Sequence, residues 1–540
     1  MLIDVARDVV SMDKSRKGFR IISIGGVVAL LLWPLYISLA SAHGFGGAEY
    51  TPPVPLWLYL YGAAAAVVLS FIILGAFVGA FPESFSYPRY NIFNHFLLRM
   101  VLGNQWFVEA LRFLTVGFVV LTVLAGFWGT DYTIENIAPV LVWVIWWVGM
   151  GIVCALVGNL WMLINPWRTV FGWAEAINVM FGGSGGLSLK FRYPKLWGIW
   201  PAVIQFFIFI WVELAYDYSD STVGIAIMVL SYSLLTLLGM VLFGKHVWLR
   251  NGEVFSIYFN VLARFAPTEV RVSDPQICKE CEDGLTCYLE IDGCVNCNEC
   301  VERSKGRFQF NIRPWAVGLA RGESISPSTL IFVLFMLSSV TFDGFQKTAV
   351  WHGPVRDIQQ QFTFLGEVHS FTAAETVGIL GTLLIFLALY LGLSFLVFLI
   401  VQGGVSYKRV ICGFLYSLVP IALVYNVAHY WTFLVTTGQW VIPALSDPFG
   451  FGWNLLGTAG YIPNFRPFSV GLIWGTQVVL IIVGHVVAVF LAHVEGGRLV
   501  KSQRRALLSQ LPMLVLMVIY TMSSLWILSR DFAIEAGPSS

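Results

Sequence analysis

The sequence predicts an all-α polytopic membrane protein of about eleven transmembrane helices, N-terminus in the cytoplasm and C-terminus outside, carrying one cytoplasmic cysteine-rich loop. Composition, the spacing of apolar runs and the placement of basic residues carry that expectation. Hydrophobic residues make up 57% of the 540 positions and Asp, Glu, Lys and Arg only 12%, about half the roughly 25% of soluble domains. Mean hydropathy is +0.76. So few charges cannot cover a soluble particle of this length, so membrane lipid is the expected surrounding. The formal net charge is +1, from 32 basic against 31 acidic residues, which leaves no excess of one sign for nucleic acid.

A bilayer core takes about 20 apolar residues of helix. Such runs lie near 21–41, 55–80, 106–128, 138–165, 196–214, 223–244, 326–342, 377–402, 411–437, 469–494 and 508–528. The first follows Arg7, Lys14, Arg16, Lys17 and Arg20, which places its start in the cytoplasm. Alternating from there, Lys347, Arg356, Arg466 and Arg530 fall outside, Arg112 falls within a span, and every other basic residue falls on the cytoplasmic side. A wrong span count would scramble that asymmetry partway along the chain. The expected location is therefore the cytoplasmic (inner) membrane, multi-pass. Asp131, Glu135, Asp217 and Asp220 mark short outer turns, and the Trp and Tyr at span ends form an interfacial belt.

This divides the chain into a membrane part over 1–244 with six spans, a cytoplasmic segment over 245–325 and a second membrane part over 326–540 with five. Gly182, Gly183, Gly185 and Gly186 lack the strand before and the Lys-Ser/Thr after that a phosphate loop needs, and they read as a turn. Glu109 and Arg112 are spaced to pair along a helix, and Glu213 is expected to reach the interface from the outer end of its span.

Eight cysteines are present, and six of them, Cys278, Cys281, Cys287, Cys294, Cys297 and Cys300, share the cytoplasmic segment. Thiols stay reduced there, which disfavours disulfides. Thiolates packed this closely repel unless a cation neutralises them, so the pattern points to metal. Zinc fits the two C-x2-C knuckles Cys278/Cys281 and Cys294/Cys297. An iron–sulfur cluster fits the run Cys294-Val295-Asn296-Cys297-Asn298-Glu299-Cys300, which has the spacing of the first three ligands of a bacterial ferredoxin. Ser304 and Lys305 stand where that run carries its fourth cysteine, so a cysteine from elsewhere in the loop would complete it. Cys154 and Cys412 sit alone in apolar spans, as small core residues do.

On the outer side, His43, Asp343, His352, His369 and His429 are candidates for a second metal, with mixed nitrogen and oxygen donors suited to copper, zinc or non-haem iron. Ala40-Ser41-Ala42 resembles a signal-peptidase site that would leave His43 N-terminal, but the apolar run before it is longer than a usual leader, and an uncleaved anchor is preferred. A haem held between His429 and His485 is disfavoured by depth. At about 1.5 Å per residue in a ~30 Å core, the two rings differ in height by more than ~10 Å. A boundary shift of a few residues would close much of that gap.

Several stretches resemble one known family. They are Ala42-His43-Gly44 with Pro53-Val54-Pro55-Leu56-Trp57, Leu163-Ile164-Asn165-Pro166-Trp167-Arg168, Thr341-Phe342-Asp343-Gly344-Phe345, Ala428-His429-Tyr430, Ser446-Asp447-Pro448-Phe449-Gly450, Gly457-Thr458-Ala459-Gly460-Tyr461, and Gly484-His485 with Ala492-His493. The chain is similar to the multi-pass membrane proteins of actinobacteria and archaea labelled fenitrothion hydrolase, an organophosphorus-ester hydrolase. That resemblance implies metal-assisted hydrolysis of a phosphotriester, with the outer His and Asp set as ligands. The cysteine-rich loop lies outside the family pattern.

Three function classes follow. One is a membrane component of a redox or electron-transfer system, acting with other membrane or redox subunits. The second is a membrane-bound metal-dependent hydrolase. The third is a transporter or structural subunit with a zinc-stabilised loop, against which the lack of a visible inverted repeat weighs. The redox class is preferred, because hydrolysis alone gives no reason to gather six thiols in the cytoplasm.

Overall fold

The computed structural model describes residues 54–77, 87–183, 186–279, 281, 288–289, 293–320, 325–401, 404–464, 468–500 and 502–535. The expected span near 21–41, His43, Cys287 and part of the 182–186 glycine run lie outside the described residues.

Among the described residues, nine helical segments are long and apolar enough to cross a membrane: Leu56–Ala76, Phe96–Trp128, Ile137–Leu156, Thr222–Phe243, Pro327–Gln346, Glu367–Val401, Tyr407–Ser446, Gly471–Leu499 and Gln503–Arg530. Each overlies an expected apolar run. The run near 196–214 forms the Trp200–Leu214 helix of only 15 residues, short of the ~20 that a full crossing takes. Pro327–Gln346 is buried along most of its length, whereas Leu234, Leu384 and Ile385 point outward from peripheral helices, as lipid-facing side chains do. Helix starts are set by side-chain caps. Ser326 accepts from the Thr329 amide and Asn165 from the Arg168 amide, each followed by a proline whose missing N–H costs nothing in the first turn. The expected Glu109–Arg112 pair forms at 2.5 Å.

Two features depart from simple spans. Residues Val140–Met150 wind as a π-helix of 11 residues, a conformation that is rare and concentrated at functional sites. The second is the Val254–Ala263 helix, within the segment read as cytoplasmic from sequence. Its Phe255, Tyr258 and Phe259 are buried against Trp146, Trp147 and Trp161. Its 10 residues are too few to register as a span, yet they cover an aromatic face of the bundle.

The cysteine-bearing segment adds a small antiparallel sheet to the otherwise helical chain. Its strands are β1 (Tyr90–Asn91), β2 (Thr268–Val272), β3 (Tyr288–Leu289), β4 (Gly293–Val295) and β5 (Gln309–Ile312), in the order β1-β5-β2-β4-β3. β2 pairs with β5 through Thr268↔Ile312 and with β4 through Val272↔Cys294, and β1 joins the far edge through Tyr90↔Ile312.

Buried Glu269 is the fastening point. It accepts from the Tyr87 hydroxyl at 2.8 Å, Arg89 Nε at 2.8 Å and an Arg313 terminal nitrogen at 3.0 Å. Arg313 also donates to the backbone carbonyls of Ala263, Arg264 and Ala266, which ties the sheet to the end of the Val254–Ala263 helix. Burial by itself would raise the Glu269 pKa, but Arg313, the Tyr87 hydroxyl and Arg89 outweigh it and hold the carboxyl below its usual range. A depressed native pKa gives stability that is present above the unfolded value and lost as pH falls through the native one. The attachment of the sheet should therefore loosen on acidification below about pH 4, read as faster amide exchange in β2 and β5. Glu269→Gln should remove most of that acid sensitivity, and an unchanged acid dependence in this variant would contradict the assignment.

Candidate metal centre

The sheet and two short helices bring five cysteines together. Cys278 rides on the Pro275–Lys279 helix directly after β2, and Cys294 lies within β4. The chain then turns at Asn296, whose positive φ of 53° is stabilised because its amide donates to the Val270 carbonyl and its side chain accepts from the Val270 amide. That turn delivers Cys297 to the start of the Asn298–Arg303 helix, whose first turn carries Cys300.

The sulfurs of Cys278, Cys294 and Cys300 lie within 4.8 Å of one another, as do those of Cys281, Cys297 and Cys300. All five side chains are buried. Two C-x2-C knuckles would leave Cys300 aside. The structure instead pairs Cys278 with Cys294 and Cys281 with Cys297 across the knuckles, and places Cys300 in both groups. The Cys281 and Cys297 sulfurs are 4.0 Å apart, near the ~3.8 Å separation of ligands at a tetrahedral ion with 2.3 Å metal–sulfur bonds. The donor set fits a thiolate-bound ion or an iron–sulfur cluster. Contact with Cys281 and burial both push the Cys300 thiol well up, and burial raises Cys278. Metal binding must therefore drive the protons off.

Charged groups from the helix ends surround the sulfurs. Arg250 reaches Cys281 Sγ at 3.3 Å, Cys297 Sγ at 3.8 Å and Glu299 at 3.2 Å, and Glu299 also accepts from Arg303 at 2.7 Å. Arg168 pairs with Glu302 at 3.0 Å and donates to the Asn298 side chain at 2.8 Å. Lys245 and His246 each reach Glu302 at 3.3 Å. Burial opposes the charge on Glu302, but His246, Arg168 and Lys245 overcome it and push its pKa down. Arg168 belongs to the Pro166–Met180 helix and Lys245, His246 and Arg250 to Lys245–Asn251, so the centre rests on the ends of helices from the membrane bundle.

A second polar group lies further along the bundle. Asp343 is about 16 residues, or ~24 Å at 1.5 Å per residue, from the start of its helix. His429 Nε2 is 2.8 Å from Asp343 Oδ2, and Lys347 is 3.2 Å from Asp343 Oδ1. The Tyr430 hydroxyl lies 2.9 Å from both Asp343 and Glu213, and Trp147 Nε1 donates to Glu213 at 2.8 Å. One phenolic proton cannot fully satisfy two carboxylates, so the arrangement suits a shared proton. Glu213 thus turns inward instead of reaching the interface, because Tyr430 and Trp147 give its carboxylate partners inside the bundle.

Of the outer candidates, Asp343 and His429 are joined. His352 and His369 are exposed and make no hydrogen bond to either among the described residues. His485 is buried, with Nδ1 2.8 Å from the Ile481 carbonyl oxygen. The rings of Tyr425 and Tyr520 link His429 to His485 through three centroid steps of 6.0 Å.

Sequence reasoning missed Tyr430, Lys347, Arg250 and Glu299 as partners. The signal available for Tyr430 and Arg250 was only their placement beside His429 and in a basic loop. No protein-family model, curated protein or solved structure matches this chain.

Proposed function

We propose that this chain is a redox component of the cytoplasmic membrane, with a cysteine-ligated iron–sulfur or single-ion centre on the cytoplasmic side, working with other membrane or redox subunits. The supporting observation is the placement of five converging cysteines on the helix ends, fastened there by Arg168, Lys245, His246 and Arg250. A bound iron centre would supply one-electron chemistry. The protein's own contribution is to hold the sulfurs, exclude water by burying them and offset their charge with Arg250. The proposed topology agrees with this, since loop residues 87–91, helix ends at 166–168 and 245–250 and the sheet all meet at one end of the bundle.

A second reading, metal-assisted ester hydrolysis, is favoured by the contact between Asp343 and His429. It needs a metal at that pair and gives the cysteine centre only a structural part. Anaerobic purification followed by metal analysis and an optical spectrum separates the two. The redox reading expects iron, with a broad visible absorbance bleached by dithionite. Stoichiometric zinc and a colourless protein would overturn it and leave the hydrolase reading.

A further inference from the structure

A cavity of about 580 Å³ opens within the membrane bundle between the π-helix, the Trp200–Leu214 helix and the Thr222–Phe243 helix. Its volume lies within the ~300–1,000 Å³ of small-molecule sites. The walls are aromatic, with Trp146, Trp161, Trp167, Phe209, Tyr232 and Phe255 among them. A site this apolar, within the bilayer, takes a lipid-soluble occupant.

The polar atoms on the wall narrow the chemistry. Trp167 Nε1 donates to Ser233 at 2.7 Å, the Tyr232 hydroxyl donates to Glu253, and the Gln205 amide nitrogen donates to the Pro201 and Gly252 carbonyls. Thr115 and Thr122 donate to backbone carbonyls of their own helix. Among the described residues, Trp146 Nε1 and Trp161 Nε1 are buried donors without an acceptor, and Gln205 Oε1 is a buried acceptor without a donor. Trp161 is only 3% exposed, and the Trp146 and Trp161 rings lie 5.9 Å apart. Unsatisfied buried polar atoms are costly, and three on one cavity wall are complementary to a ligand that brings a carbonyl oxygen and, in another state, a hydroxyl. A hydrocarbon chain offers neither.

Location adds the third constraint. Pro166 and Trp167 line the cavity, and the next residue, Arg168, holds Asn298 and Glu302 of the helix that follows Cys297. The cavity and the cysteine centre are thus separated by a single step of chain.

We infer that this cavity binds the head group of an isoprenoid quinone, with its carbonyl accepting from the Trp146 and Trp161 indoles and the quinol hydroxyl donating to Gln205 Oε1. The choice of a redox-active carbonyl ligand rests on the redox reading of the cysteine centre, but the complementarity of the wall does not.

The test is a titration of the purified full-length protein, in detergent, with a short-chain benzoquinone or naphthoquinone, followed by tryptophan quenching and by equilibrium dialysis. Metal content is measured on the same samples. Binding is expected to be saturable and to weaken about fivefold to tenfold in Trp161→Phe, which removes one donor and keeps most of the ring. Trp128→Phe, at an exposed position, should bind as the parent does. An alkyl chain of equal length without carbonyls should not compete. Competition by that chain with no effect of Trp161→Phe would make the cavity a lipid crevice and overturn the inference. Absence of binding, as when the chain's own 21–41 run fills the space, would overturn it too. Quinone binding with zinc at the cysteines would sustain the site and sink the redox reading. Iron at the cysteines without quinone binding would do the reverse.

Discussion

Cys300→Ser should strip the protein of most of its metal, more completely than Cys278→Ser or Cys281→Ser. Cys300 is common to both sulfur groups, whereas each of the others belongs to one. Loss of a direct ligand should exceed the roughly 10–100-fold cost in affinity of removing an outer partner. Arg250→Met, which deletes a donor to Cys281 and Cys297 while keeping most of the stem volume, is expected in that lower range. Metal per chain after dialysis against a graded chelator series gives the order. Full retention in Cys300→Ser would restore the two-knuckle zinc site and contradict the shared geometry.

Arg313→Ala should release the sheet from the bundle. The side chains of Arg313 and Glu269 are 1% and 0% exposed, and removing one partner of such a buried pair typically costs about 3–5 kcal/mol. Here the loss also strands three backbone carbonyls, of Ala263, Arg264 and Ala266. Because β2 precedes Cys278 and β4 holds Cys294, metal occupancy should fall although no ligand is changed. The membrane helices should persist, since their packing does not pass through Arg313. Hydrogen exchange by peptide, with metal content alongside, reads both. Protection of β2 and β5 equal to the parent's would contradict the role given to this arginine.

These two sites differ in how far they could be read from residues alone. The long apolar runs need only local composition, so helices such as Thr222–Phe243 and Pro327–Gln346 lie where the sequence places them. The cysteine ligands were equally legible as a group, because six thiols in one cytoplasmic loop have few other uses. Their partition was not, since it depends on the Val272↔Cys294 register and on the turn at Asn296. The Glu269 hub spans residues from Tyr87 to Arg313, and β1 is two residues long, so neither leaves a local pattern. The Val254–Ala263 helix is apolar but shorter than a span, and it was read with its charged surroundings. Among the outer groups, residue type and depth suggested His429 and Asp343 together, but Glu213 and Tyr430 come from helices whose packing sequence periodicity does not specify.

The central claim is that the cysteine centre is a redox-active metal site. A potentiometric titration of the anaerobically purified full-length protein, followed by electron paramagnetic resonance, tests it most directly. The account predicts a paramagnetic signal that appears and disappears reversibly with potential and is absent from Cys300→Ser. A protein holding one or more equivalents of metal at the cysteines, yet silent at every potential and oxidation state, would contradict it.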